Sequence, residues 1–87
     1  MTLEDITKTL REYIVEQYKI PSGDADFNDD VHLFDYGYVD SFGAAELVSF
    51  VQHAFGIEVS HADMIAYPMN SISEIATFVF LRRSGDL

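Results

Sequence analysis

The segment Asp40-Ser41-Phe42-Gly43-Ala44-Ala45-Glu46-Leu47-Val48-Ser49-Phe50-Val51-Gln52-His53-Ala54-Phe55-Gly56 carries apolar residues at Phe42, Ala45, Leu47, Val48, Val51, Ala54 and Phe55. Steps of three and four mark one face of an α-helix, expected over residues 41–55. Ser41 is the expected N-cap. Gly56 is placed to end the helix, and Ile57 and Val59 lead out of it.

Upstream, Leu33 to Gly43 reads as a glycine turn at Gly37 that delivers an acid and a serine to the start of this helix. The stretch from Lys19 to Asp40 has no clear period and is rich in Asp and Gly. So long a connection in a small domain is unusual and often functional. Phe27, Val31, Leu33 and Phe34 are expected to pin it to the core, with room for a short helical turn. Before it, Leu3, Ile6, Leu10, Tyr13, Ile14 and Tyr18 form the apolar face of a first helix over 3–18. Thr2 and Asp5 make a capping box at its start, and Pro21-Ser22-Gly23 are expected to end it.

Downstream, Ser60 with Asp63 opens a short third helix over 61–67, stopped by Pro68. Ser71 with Glu74 opens a fourth over 71–83, with Ile72, Ile75, Ala76 and Val79 inward and Phe78 and Phe80 widening that face. Arg82 and Arg83 fall in its last turn, where cations suit the helix dipole. No strand alternation, repeat or linker interrupts the series. The expected fold is all-α: one domain over residues 1–87, a small four-helix bundle with a long first loop and a short third helix.

Size and charge bound the function. The 87 residues bear 15 acids against 5 Lys and Arg, a formal net charge of −10. Area scaling gives a folded surface of roughly 5,000 Å², enough for a single core. With no Cys there is no disulfide, thiolate metal site or Cys nucleophile. The longest stretch free of charged residues, Leu47 to Ile57, is too short to span a bilayer. The acidic N-terminus is no signal peptide, so a cytoplasmic monomer is expected. The net charge opposes nucleic acid and anionic membranes. No Lys or Arg lies between Ile20 and Leu81, where the acids are Asp24, Asp26, Asp29, Asp30, Asp35, Asp40, Glu46, Glu58, Asp63 and Glu74. Two readings stay open for this charge: a solvated face, or one offered to basic partner proteins.

Few residues suggest catalysis. His32, His53 and His61 have no metal-ligand spacing. An 87-residue bundle leaves little room for the cleft and oxyanion hole of a Ser-His-Asp hydrolase. Asp24, Asp26, Asn28, Asp30 and Asp35 match an EF-hand loop in spacing, but Asp29 stands where Gly is needed and Asp35 where a bidentate Glu is needed. The remaining feature is Asp40-Ser41, a hydroxyl expected to be exposed at a helix N-terminus, where a phosphate ester would be stabilised. An ordinary cap would use the same two residues.

From about Leu3 to Leu81 the chain resembles the acyl carrier protein family, or phosphopantetheine-attachment domains. The resemblance rests on Asp40-Ser41, Glu46, Leu47-Val48, the Phe55-Gly56-Ile57-Glu58-Val59 exit and the Ser71-Ile72-Ser73-Glu74-Ile75 start. The Gly37-Tyr38-Val39-Asp40-Ser41-Phe42-Gly43 string looks more like D-alanyl and other specialised carriers than fatty-acid carriers, though the last third does not. The resemblance implies that Ser41 receives 4′-phosphopantetheine from coenzyme A by a separate magnesium-using phosphopantetheinyl transferase. The arm's thiol then holds an acyl or aminoacyl group as a thioester, and carriers of this kind can shelter an acyl chain between helices.

It further implies a non-catalytic shuttle between enzymes of lipid, polyketide or amino-acid-activating pathways. Its partners are the transferase and a loading ligase or transferase with basic docking patches. Asp40 is assigned to the cofactor site beside Ser41. Phe42, Ala45, Glu46, Ser49 and Asp35 are assigned to the partner surface. Gln52 and His53 stand where fatty-acid carriers often have Glu. The competing expectation is an unmodified helical interaction module with a calcium-binding acidic loop, Asp24–Asp35.

Overall fold

The computed structural model describes residues 1–87 and contains four helices and no strand. They are α1 (Leu3–Gln17), α2 (Ser41–Phe55), α3 (His61–Ala66) and α4 (Ile72–Ser84). The all-helical expectation holds, with a long first loop and a short third helix. The chain exposes 5340 Å², close to the area its mass predicts.

The core joins one stripe from each long helix to the first loop. Ile6, Leu10 and Ile14 of α1, Leu47, Val51 and Phe55 of α2, and Ile72, Ile75, Ala76, Phe78 and Val79 of α4 are buried. Each large apolar side chain so buried contributes about 1.5–3 kcal/mol. α1 and α4 form the most extensive helix pair. Leu3, at the start of α1, and Phe80, on the outer side of α4, were expected on the inner faces and are instead exposed. α3 buries none of its residues.

The helix ends follow the sequence with three corrections. First, a left-handed Lys19 ends α1 rather than Pro21-Ser22-Gly23. Tyr18 is its C-cap, Lys19 takes a left-handed conformation (φ 53°), and the Ile20 N–H donates to the Val15 carbonyl at 3.0 Å. This six-residue closure turns Ile20 into the core, which offsets the strain of a left-handed non-glycine residue. Second, the N-cap of α2 is Asp40, not Ser41: its side chain accepts from the Gly43 N–H at 2.7 Å. Third, Ser71 caps α4 by accepting from the Glu74 N–H, but the Glu74 carboxylate accepts from the N–H of Asn70 rather than of Ser71. The boxes of Thr2 with Asp5 and Ser60 with Asp63 form as expected. Gly56 ends α2 in the left-handed region (φ 64°).

The first loop holds turns but no helix. Val31, Leu33 and the unforeseen Val39 are buried, with Phe27 and Phe34 packed against them. Two backbone bonds stitch it to the last third of the chain, Leu33 N–H to Asn70 C=O (2.8 Å) and Ser73 N–H to Asp29 C=O (2.9 Å). Arg11 of α1 adds a bidentate pair to Asp29 (2.6 and 2.8 Å), whose guanidinium holds that carboxyl below its usual range. These anchors fix the approach to α2.

Candidate functional site

Asp40 and Ser41 divide the work at the start of α2. The Asp40 carboxylate caps the Gly43 N–H, and its carbonyl accepts from Ala44 N–H at 2.8 Å. Ser41 is therefore the first helical residue; it is exposed, and its hydroxyl takes no part in the cap. At the other three helix starts the hydroxyl of Thr2, Ser60 or Ser71 is engaged with the N–H three residues on. The N–H groups of a first turn have no partner within the helix, and the positive end of the dipole points the same way. A free hydroxyl in that field suits an attached anion.

Gly43 is held from both sides. Tyr18, at the end of α1, donates its hydroxyl to the Gly43 carbonyl at 2.8 Å. A Cβ on Gly43 would lie 3.0 Å from the Tyr18 ring and 3.1 Å from Val39. Glycine thus lets α1 approach the first turn of α2. Burial pushes the Tyr18 phenol well above its usual range, aided by Tyr13, Glu46 and Asp40, so it stays a donor. The ring meets Tyr13 edge-on (6.3 Å), and Tyr13 stacks on Phe50 of α2 (3.7 Å). Tyr18 and Gly43 had no assigned role in the sequence; a tyrosine closing an apolar stripe and a glycine within a motif carry no distinguishing signal there.

Positions 42, 45, 46 and 49 share one face of α2 by helical spacing. Phe42, at 77% exposure, Ala45 and Ser49 are exposed, and Glu46 is half-buried. Asp35 is exposed in the loop, where its N–H donates to His32 Nδ1 at 3.0 Å. Ile65 of α3, at 76%, is a second exposed apolar side chain that the sequence did not single out.

The neighbouring stripe of α2 lines a cavity. Ser41, Ala44 and Val48 lie one above another at steps of three and four. Ala44, Leu47, Val48 and Val51 form one wall of a cavity of about 180 Å³. Phe34, Val59, Met64, Met69, Asn70 and Ile75 complete it, so all the lining residues but Asn70 are apolar. Beside it, α3 is tied to α4 by Asp63 and Arg82 (2.8 Å), with the Arg82 guanidinium 5.0 Å from the Phe78 ring centre. The Ser60 N–H, then Arg82, hold the Asp63 carboxyl below its usual range. Arg83 donates to the Phe55 carbonyl at the end of α2, so both cations of the last turn reach beyond their own helix.

The acidic loop does not assemble the EF-hand arrangement. Asp24 accepts from Asp26 N–H and from the Tyr38 hydroxyl (both 2.9 Å), Asn28 accepts from Asp30 N–H, and Asp29 turns away to Arg11. No three His, Asp or Glu side chains of the chain are grouped to hold a metal ion. The spacing that mimicked a calcium loop serves Asx turns and the Tyr38 anchor. Burial and the bond to Asp24 push the Tyr38 phenol up to about 12. No helix is long and apolar enough to cross a membrane.

A family model described as the phosphopantetheine attachment site matches residues 8–79. No curated protein sequence matches the chain. A match over that span, on a four-helix chain with a long first loop and a serine-led second helix, is decisive: this protein belongs to the phosphopantetheine-attachment family, whose members carry covalently attached 4′-phosphopantetheine.

Proposed function

We propose that this chain is an acyl carrier with Ser41 as its attachment residue. The observation that carries this is the free, exposed Ser41 hydroxyl beside a capping Asp40. In attachment, the Ser41 oxygen bonds to the β-phosphorus of coenzyme A as the pyrophosphate bond breaks. The hydroxyl proton passes to a base on the transferase, and adenosine 3′,5′-bisphosphate leaves. The start of α2 fits the resulting phosphodiester, because helix N–H groups and dipole stabilise an anion there. Once in place, the arm supplies a thiol that carries the cargo as a thioester.

The cavity favours an acyl over an aminoacyl cargo. An apolar cavity of about 150 Å³ holds benzene, so about 180 Å³ suits a chain of roughly six to eight carbons. A charged ammonium would be costly in those walls. Phe42 and Ala45 offer an apolar centre and Asp35, Asp40 and Glu46 an acidic rim for the transferase and an acyl-loading ligase or transferase of the cytoplasm. Such partners present Lys and Arg, and their binding weakens with salt.

The test is intact mass after incubation with coenzyme A and a promiscuous phosphopantetheinyl transferase. The expected result is a gain of one phosphopantetheine in the wild type and none in Ser41→Ala. No gain in the wild type, with a transferase that modifies a control carrier, rejects the reading.

A further inference from the structure

Asn70 is the one polar residue on the wall of the α2–α4 cavity. Its backbone is paired on both sides: the N–H donates to the Glu74 carboxylate at 2.9 Å, and the carbonyl accepts from Leu33 N–H at 2.8 Å. Those bonds fix the residue between the first loop and the start of α4. The residue is half-buried, and its side-chain amide makes no hydrogen bond within the chain. That amide brings two donors and a carbonyl acceptor, none engaged by the protein, to a residue of the cavity wall. Water satisfies them until a ligand fills the space. A saturated chain expels that water and leaves the amide unpaired, whereas a chain oxygen replaces it. A site built around such a bond rejects the ligand lacking it far more strongly than an apolar pocket rejects one methylene.

We propose that Asn70 is a specificity-determining residue that makes this carrier prefer acyl chains bearing a hydroxyl or keto oxygen over saturated chains of equal length. This rests on the acyl-carrier reading above. Ala44 and Val48 lead from Ser41 into the cavity, and no other lining residue competes for the oxygen. The reaction supplying the cargo is then of a class that leaves oxygen on the chain, such as condensation or hydration, rather than full reduction.

The test loads wild type, Asn70→Leu and Asn70→Ala with octanoyl- and 3-hydroxyoctanoyl-pantetheine from the corresponding coenzyme A thioesters. Hydroxylamine cleavage of the thioester reads protection, and amide shifts of Ala44, Val51 and Met69 read occupancy of the cavity. The wild type is expected to protect the hydroxyacyl chain roughly fivefold more than the saturated one, the size of one hydrogen bond. Asn70→Leu is expected to reverse that order, and Asn70→Ala, which keeps both backbone bonds, to abolish it. Equal protection in the wild type overturns the proposal, as does a preference that survives both substitutions. A loss of protection equal for both chains assigns Asn70 to the shared arm or thioester, and also overturns it. Absence of protection for either chain rejects the acyl-cavity reading beneath it, while modification of Ser41 is scored separately by mass.

Discussion

The starts of α2 and α4 look alike in sequence and differ in use. Each has a small polar residue that accepts from the N–H three residues on, and a serine at or beside that position. In α4 the serine is the cap: Ser71 is 5% exposed and its hydroxyl is bound to Glu74 N–H. In α2 the cap is one residue earlier, on Asp40, and Ser41 stands exposed with nothing to hold. A hydroxyl engaged as a cap is turned toward the helix N–H it serves, and an ester on it would crowd that bond. Moving the cap back one residue leaves the structural task to Asp40 and frees Ser41 for the proposed attachment.

The largest effect that tests this contrast is on modification. Ser41→Ala is expected to abolish phosphopantetheine gain by mass while unfolding stability stays within about 0.5 kcal/mol, as for surface changes away from a cap. Ser71→Ala should do the reverse: full modification, with a loss of about 1–2 kcal/mol in urea unfolding for a buried cap. If Ser41→Ala destabilised as much as Ser71→Ala, the division of tasks would be wrong.

Gly43→Ala sharpens the comparison at the Tyr18 brace. Alanine gains about 1 kcal/mol of helix propensity, and crowding against Tyr18 and Val39 costs about 1–3 kcal/mol. The expected net loss is about 1 kcal/mol, a fall in melting temperature of roughly 4–8 °C. Modification should slow with it, since the first turn carries Ser41. A rise in melting temperature would show that Tyr18 yields freely.

The smallest effect is the acid response of the ion pairs. Asp29 and Asp63 have carboxyls held below the ordinary value of 3.8, so each adds stability above that value and loses it as pH falls through the lowered one. Thermal unfolding from pH 6 down to 2 should show Asp29→Asn converging on the wild type at the acid end. Parallel curves would mean that Arg11 and Asp29 contribute nothing through charge.

Much of this was legible beforehand because it is local. The apolar spacing of α1, α2 and α4, the boxes at Thr2 and Ser60, and the glycine after Phe55 depend on neighbours within one turn. The competing reading also came from local pattern. The alternating acids of Asp24–Asp35 mimic calcium ligands, but their partners, Arg11 and Tyr38, lie outside the segment. The ending of α1 was assigned to Pro21-Ser22-Gly23 because Ile20 turns inward only when a core exists to receive it. Asn70 gave no signal at all: a lone Asn before a capping serine reads as a loop residue.

The sequence by itself determined the number and order of the helices, the acidic middle of the chain and the serine beside an aspartate at the head of the second helix. Periodicity and capping are one-dimensional signals, set by backbone geometry over three or four residues. The choice of Asp40 over Ser41 as the cap is also local, but two adjacent cap formers leave it open until the backbone is placed. Only the tertiary structure placed Tyr18 against Gly43, sent Arg11 and Arg82 across the fold to Asp29 and Asp63, and left a cavity with one polar residue on its wall. Those outcomes depend on which side chains meet across helices, and distances between elements are written nowhere in a string of residues.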